Sequence, residues 1–171
     1  MHTETNLDDF DIWNEKKKEL NTLEKDVYFK EGEIWWCFWG MNVGEEVYGK
    51  GKDFQRPAVI LKKLSKTSAI ALPVTAVPRK GSWYHFINPQ GNPRWVMMHQ
   101  IKFVSINRLS RRQFSLSLEE FSKLKESEAE LLGLFHESSP EFLPDRWVTP
   151  NVIKVYQDDL EESIKEYFDE S

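Results

Sequence analysis

The stretch "NVGEEVYGKGKDFQRPAVIL", residues 42–61, holds a loop and the start of a strand in one line. Its first half carries Glu45 and Glu46 and then glycines spaced by lysines, a composition that favours turns. Its second half opens on Arg56-Pro57 and runs straight into apolar residues. Pro57 has no amide hydrogen for a ladder, so it is expected to end the loop and stay off the central ladder. The run after it reads as a buried strand. Working outward, "EIWWCFW" (33–39), "TSAIALPVTAV" (67–77), "GSWYHFIN" (81–88) and "RWVMMHQIKFVSI" (94–106) read as further strands. Turn residues separate them at Gly40, Gly49–Gly51, Ser65–Lys66, Arg79–Gly81 and "NPQGNP" (88–93). At least five short strands at this spacing predict a small barrel.

Helical patterns flank the strands. Leu7, Phe10, Trp13, Leu20, Leu23 and Val27 recur at near-helical spacing and predict an amphipathic helix over 7–27. In "SLEEFSKLKESEAELLGLF", Ser117 and Glu120 form a capping box, and Leu118, Phe121, Leu124, Leu131 and Leu134 are expected on one face. "HESSPEFLP" (136–144) reads as a linker, and Thr149-Pro150 as the start of an acidic helix over 150–168. The division is a helical extension (1–30), a barrel with its helix (31–133), and a linker with an acidic helix (134–171).

Composition narrows the function. With 40% hydrophobic and 13% aromatic residues, including seven Trp, the chain has the material for a packed core. One cysteine, Cys37, offers neither an internal disulfide nor a metal cluster. The first residues lack the basic-then-apolar order of a signal peptide, and no apolar run approaches a membrane span. A cytosolic protein is expected. The net charge of −5 conceals a strong asymmetry. From Lys50 to Arg112 there are 13 Lys or Arg and one acid, Asp53, a net of +12, against −7 for residues 1–49 and −10 for residues 113–171. A basic middle between acidic ends suits a nucleic-acid-binding core with acidic accessories. Lysines guarding strand edges are the plainer alternative.

"GEIWWCFWGMNVGEE", "RPAVIL", "LPVTAVP" and "VMMHQIKFVSINRL" stand in an order and spacing that resemble the MazF/PemK toxin family over about residues 31–133. The resemblance implies an α+β fold, mainly β: an SH3-like small barrel with a C-terminal helix, here with extra terminal helices. It also implies a homodimer, a separately encoded antitoxin that covers the RNA groove, and no cofactor or metal. The activity implied is endoribonucleolytic cleavage of single-stranded RNA through the ribose 2′-hydroxyl, leaving a 2′,3′-cyclic phosphate. Two departures stand out. The segment from Glu46 to Arg56 is about five residues longer than in relatives, and His99 and Met97 stand where several relatives carry an acid and an arginine.

The resemblance places catalysis on Arg56 and Thr75, and matches Glu46 to a family position that Glu45 does not share. Arg56 offers a planar fork of donors for phosphate oxygens, suited to charge stabilisation before proton transfer. Glu46 is a weak base near pH 7 unless buried. His99 occupies the family's acid position, and imidazole suits general acid–base work. His85 is expected to be structural. Lys50, Lys52, Arg79, Lys80, Arg94 and Gln100 are the expected RNA contacts, with Trp83 as a stacking surface and the loop glycines leaving Lys50 and Lys52 mobile. Two alternatives remain: a non-catalytic toxin that binds a protein target, as gyrase poisons do, and an RNA-binding module without cleavage.

Overall fold

The computed structural model describes residues 7–134. The expected linker and acidic C-terminal helix lie outside the described residues. Within them, helix α1 (Leu7–Asn21) precedes seven strands: β1 (Glu33–Phe38), β2 (Gln55–Lys63), β3 (Ser68–Thr75), β4 (Tyr84–Ile87), β5 (Arg94–Met97), β6 (Lys102–Ser105) and β7 (Leu109–Ser115). Helix α2 (Leu118–Leu131) closes the order. Every pairing is antiparallel, in the order β4-β5-β3-β2-β1-β7, with β6 joining β3. Among the described residues no helix is long and apolar enough to cross a membrane.

Alternation along the strands builds two cores. On β2, Ala58 and Ile60 face a cluster with Trp35, Cys37, Ala71 and Val104 inside the curl of the sheet. Val59 faces the other way, onto Ile34, Leu72 and Val96 beneath Phe121 and Leu124 of α2. Burial on both faces explains the unbroken apolar run. Cys37 is fully buried, and burial pushes its thiol up to about 12. It is a core residue rather than a reactive one.

Several expectations need correction. The first helix stops at Asn21 instead of reaching Val27. Beyond it the chain is held by tertiary contacts: Lys25 donates to the carbonyls of Asn107 (3.0 Å) and Leu109 (2.7 Å), and Phe29 is fully buried. Pro57 is not clear of the sheet. It sits opposite Trp36 of β1, one residue before the β2–β3 ladder begins at Ala58 and Pro73. On α2 the capping box forms, but Leu118 is 91% exposed and Leu134 is exposed too, while Glu128 takes a buried place on the apolar face. "LSRRQFS" forms β7, an edge strand too polar to show in an apolar pattern.

The single strand expected over 94–106 is two strands. Val96 pairs with Val74, and Lys102 pairs with Ala71. Residues 97–101 therefore face only Leu72 and Pro73, and Pro73 has no amide hydrogen to share. The surplus is taken up by a 3₁₀ turn at Met98–Gln100, where Met98 N–H donates to the Trp83 carbonyl (3.0 Å). This turn lifts His99 out into solvent.

Candidate functional site

Arg56 and Thr75 lie at the ends of adjacent strands, and both are buried. They open into one cavity of about 240 Å³ walled by Lys50, Gln55, Arg94, Gln113 and Trp36. The Arg56 side chain is aimed by its Nε–H, which donates to the Tyr48 carbonyl at 2.9 Å. Burial draws its guanidinium below the usual range, opposed by Tyr48 and reinforced by nearby Arg79. No carboxylate forms an ion pair with Arg56 among the described residues, so its charge is available to an anion. Thr75 Oγ1 accepts from the Val77 N–H at 3.2 Å, which leaves the hydroxyl hydrogen free to donate. A cavity with two buried donors and two further cations has the chemistry that suits a phosphate.

Glu46 and His99 are not in this cavity. They line a second one of about 340 Å³ with Trp39, Asn42, Gln100 and Lys102. Glu46 accepts from the Val43 N–H at 3.2 Å and closes its own turn. His99 is exposed, with Nδ1 3.3 Å from the Trp83 carbonyl and its ring edge-on to Tyr84. Gln100 is half-buried and works as a clasp: it accepts from Val47 N–H (3.0 Å) and donates to the Glu45 carbonyl (3.2 Å). Lys102 beside them is held below the usual lysine range by burial and then by Arg108. His85 is half-buried against Ser127 Oγ at 2.9 Å, and burial lowers its imidazole.

Of the remaining expected contacts, Lys50 walls the Arg56 cavity, as does Arg94, whose guanidinium is steadied by the Pro93 carbonyl (2.8 Å) and by the Phe114 ring. Arg79 and Lys80 are exposed on the connection after β3, and Trp83 is 49% exposed. Lys52 lies in a third cavity, which shares Trp36, Lys50 and Gln55 with the Arg56 cavity. No group of three or more His, Cys, Asp or Glu among the described residues is placed to hold a metal ion.

Residues 30–132 match the sequence model of the PemK-like, MazF-like toxins of type II toxin-antitoxin systems. The chain belongs to this family. MazF from Deinococcus radiodurans shares its fold, with a TM-score of 0.51 and 18% identity over 63% of this chain and 99% of that one. A mycobacterial endoribonuclease solved with its cognate antitoxin gives 0.49 and 15%, over 64% of this chain and 99% of that one. The Mycobacterium tuberculosis toxin MazF-mt6 gives 0.46 and 17%, over 61% and 99%. No curated protein matches the chain. The MazF-like region begins at Lys30, so α1 lies wholly before it.

The site includes residues that the motifs do not mark. Trp36 walls both the Arg56 cavity and its neighbour, and its indole N–H is buried without a partner among the described residues. The signal was in the alternation: Trp35, Cys37 and Trp39 face the inner core, so Trp36 must face away from it. Gln55 and Gln113 carry no comparable sequence signal.

Proposed function

We propose that this toxin is an endoribonuclease that cleaves single-stranded RNA without a metal ion. The observation that carries the proposal is the pairing of Arg56 and Thr75, buried on neighbouring strands and opening into one basic cavity in a MazF-like chain. In the reaction the ribose 2′-oxygen attacks phosphorus as the P–O5′ bond breaks, which leaves a 2′,3′-cyclic phosphate and a free 5′-hydroxyl. Negative charge grows on the non-bridging oxygens. The Arg56 fork and the Thr75 hydroxyl are the donors that meet it, and donors fixed in a low-dielectric wall act most strongly there. Lys50 and Arg94 hold the strand at either side.

Among the described residues, no carboxylate or imidazole stands in the wall of the Arg56 cavity. Proton transfer from the 2′-hydroxyl and to the 5′-oxygen is therefore assigned to Glu46 and His99 only if RNA spans both cavities. We place the activity in the cytoplasm, on messenger RNA, under the control of an acidic antitoxin that competes for the same basic surface. A homodimer is the assembly this reading adopts.

The test is incubation of the full chain with a long single-stranded RNA in EDTA, followed by mapping of the ends. Discrete cuts bearing cyclic phosphate, abolished by Arg56→Ala, support the proposal. Intact RNA at high enzyme concentration, with the protein folded, overturns it.

A further inference from the structure

Helix α1 lies before the MazF-like region, yet its buried Trp13 stands against the loop that ends on Arg56. The indole lies over Gly40, where a Cβ would meet it at 2.3 Å, so only glycine leaves room for the ring. It also meets Phe54 edge-on at 5.8 Å, and the Arg108 guanidinium covers it at 5.3 Å. Arg108 donates in turn to the Phe38 carbonyl at 2.8 Å, and Lys16 of α1 sits over the Phe38 ring at 5.4 Å. Trp13 and Lys16, three residues apart on one helix face, thereby grip the end of β1.

That grip reaches the site through the backbone. Gly40 N–H donates to the Phe54 carbonyl at 3.1 Å, and the Gly40 carbonyl accepts from Gly49 N–H at 2.7 Å. A Cβ on Gly49 would stand 1.7 Å from the Phe54 oxygen, so the two halves of the loop touch. Lys50 and Gln55 exchange backbone hydrogen bonds of 2.8 and 3.1 Å, which close the loop one residue before Arg56. The expectation of mobile lysines is thereby corrected: the backbone that carries Lys50 and Lys52 is fixed on both sides. Tyr48, next to Gly49, packs against the Trp13 cluster and offers the carbonyl that holds Arg56 Nε–H at 2.9 Å. A run of contacts leads from Trp13 through Gly40, Gly49 and Tyr48 to Arg56.

We propose that Trp13 is a positioning residue for cleavage: α1 is a brace that holds the Tyr48 carbonyl where it aims Arg56. Trp13 lines neither the Arg56 cavity nor the one that holds Glu46 and His99, so it acts on the guanidinium's geometry and not on RNA binding. A misplacement of about 1 Å at a reacting centre costs as much as about 10²-fold in rate. The proposal rests on the endoribonuclease reading and deepens it, by giving the extension a part in aiming the charge.

The experiment follows the full chain carrying Trp13→Ala, alone and together with Arg56→Lys, on a fluorogenic RNA. Lysine has no Nε–H, so in that background the aim is already lost. Trp13→Ala is expected to lower kcat by about tenfold or more with KM nearly unchanged, and to cost less than about twofold on Arg56→Lys. Leu124→Ala empties a fully buried place in the other core, and is expected to lower stability while keeping kcat per folded molecule. Hydrogen exchange of the Arg56 Nε–H, followed by NMR, reads the aim directly, and is expected to be at least about tenfold faster in Trp13→Ala than in wild type. Trp13→Leu keeps apolar bulk and replaces Trp13→Ala in every measurement should that variant not fold. Equal losses in the two backgrounds, or an unchanged exchange rate, overturn the positioning role. If the wild-type chain cuts no RNA, the endoribonuclease reading fails, and the exchange rate alone decides whether α1 aims Arg56.

Discussion

Glu128 allows a prediction that is independent of RNA. It is 3% exposed on α2, four residues after Leu124 and seven after Phe121, so it shares their buried face. Neither carboxylate oxygen has a hydrogen-bond partner among the described residues, and burial raises its pKa from 4.5 to about 7. The folded state therefore holds this proton more tightly than the unfolded chain. Its stabilising effect is complete below the unfolded value, falls as pH rises through the folded one, and is gone above it. Raised from 4.5 to about 7, at about 1.4 kcal/mol for each tenfold change in proton affinity, this group gives a swing on the order of 3 kcal/mol between pH 4 and 8.5. Glu128→Gln keeps the shape and removes the titration. Its buried amide costs stability at every pH, so the informative quantity is the difference in slope and not the offset. Urea unfolding of both proteins across this range is the assay. Glu31 and Glu120, whose pKa values are lowered in the fold, tilt both curves the other way and cancel in the comparison. Wild-type and variant curves that run parallel from pH 4 to 8.5 would refute the reasoning.

Arg56→Lys keeps a charge but loses the Nε–H that binds Tyr48 and the planar fork, and is expected to lower kcat by about 10²-fold or more with little change in KM. Thr75→Ser is expected to keep most activity and Thr75→Ala to lose about tenfold or more, measured as kcat on a fluorogenic RNA, since the hydroxyl and not the methyl does the donating. If His99 moves a proton, His99→Ala removes one limb of the pH–rate profile. A profile of unchanged shape confines His99 to its contacts with Trp83 and Tyr84. Glu33→Gln weakens three contacts at once, to Trp35 Nε1, Lys30 N–H and Arg112, and should cost about 1–3 kcal/mol in a denaturant titration.

How far the sequence could be read depended on whether a signal was local. The apolar run after Pro57 and the capping box at Ser117 are local, and both elements formed close to where they were expected. The break in 94–106 was not local: its cause is the mismatch of five residues against Leu72 and Pro73 on another strand. The helix end at Asn21 was equally out of reach, since nothing near it shows that Lys25 finds two carbonyls more than eighty residues away. The candidate site divides in the same manner. Arg56 and Thr75 stood in motifs, and the ladder between β2 and β3 brought them to one cavity. The resemblance matches both Glu46 and Arg56 to family positions on one loop, yet Gln100 clasps the first half of that loop toward His99.

The same loop shows why an extension outside the MazF-like region bears on the site within it. Phe54 has a positive φ of 49°, a strained choice for a bulky residue. Its carbonyl takes both the Trp39 and the Gly40 N–H, at 2.9 and 3.1 Å, and its ring packs on Trp13, with Tyr48 against the same cluster. Strain of this kind persists only where the surroundings over-determine it. α1 is one of those surroundings, and the Tyr48 carbonyl that aims Arg56 lies in the segment it braces. Trp13→Phe should therefore retain more activity than Trp13→Ala, by a margin that shows in kcat before RNA binding. Equal kcat in the two variants, with both proteins folded, would mean that α1 supports the barrel without reaching Arg56.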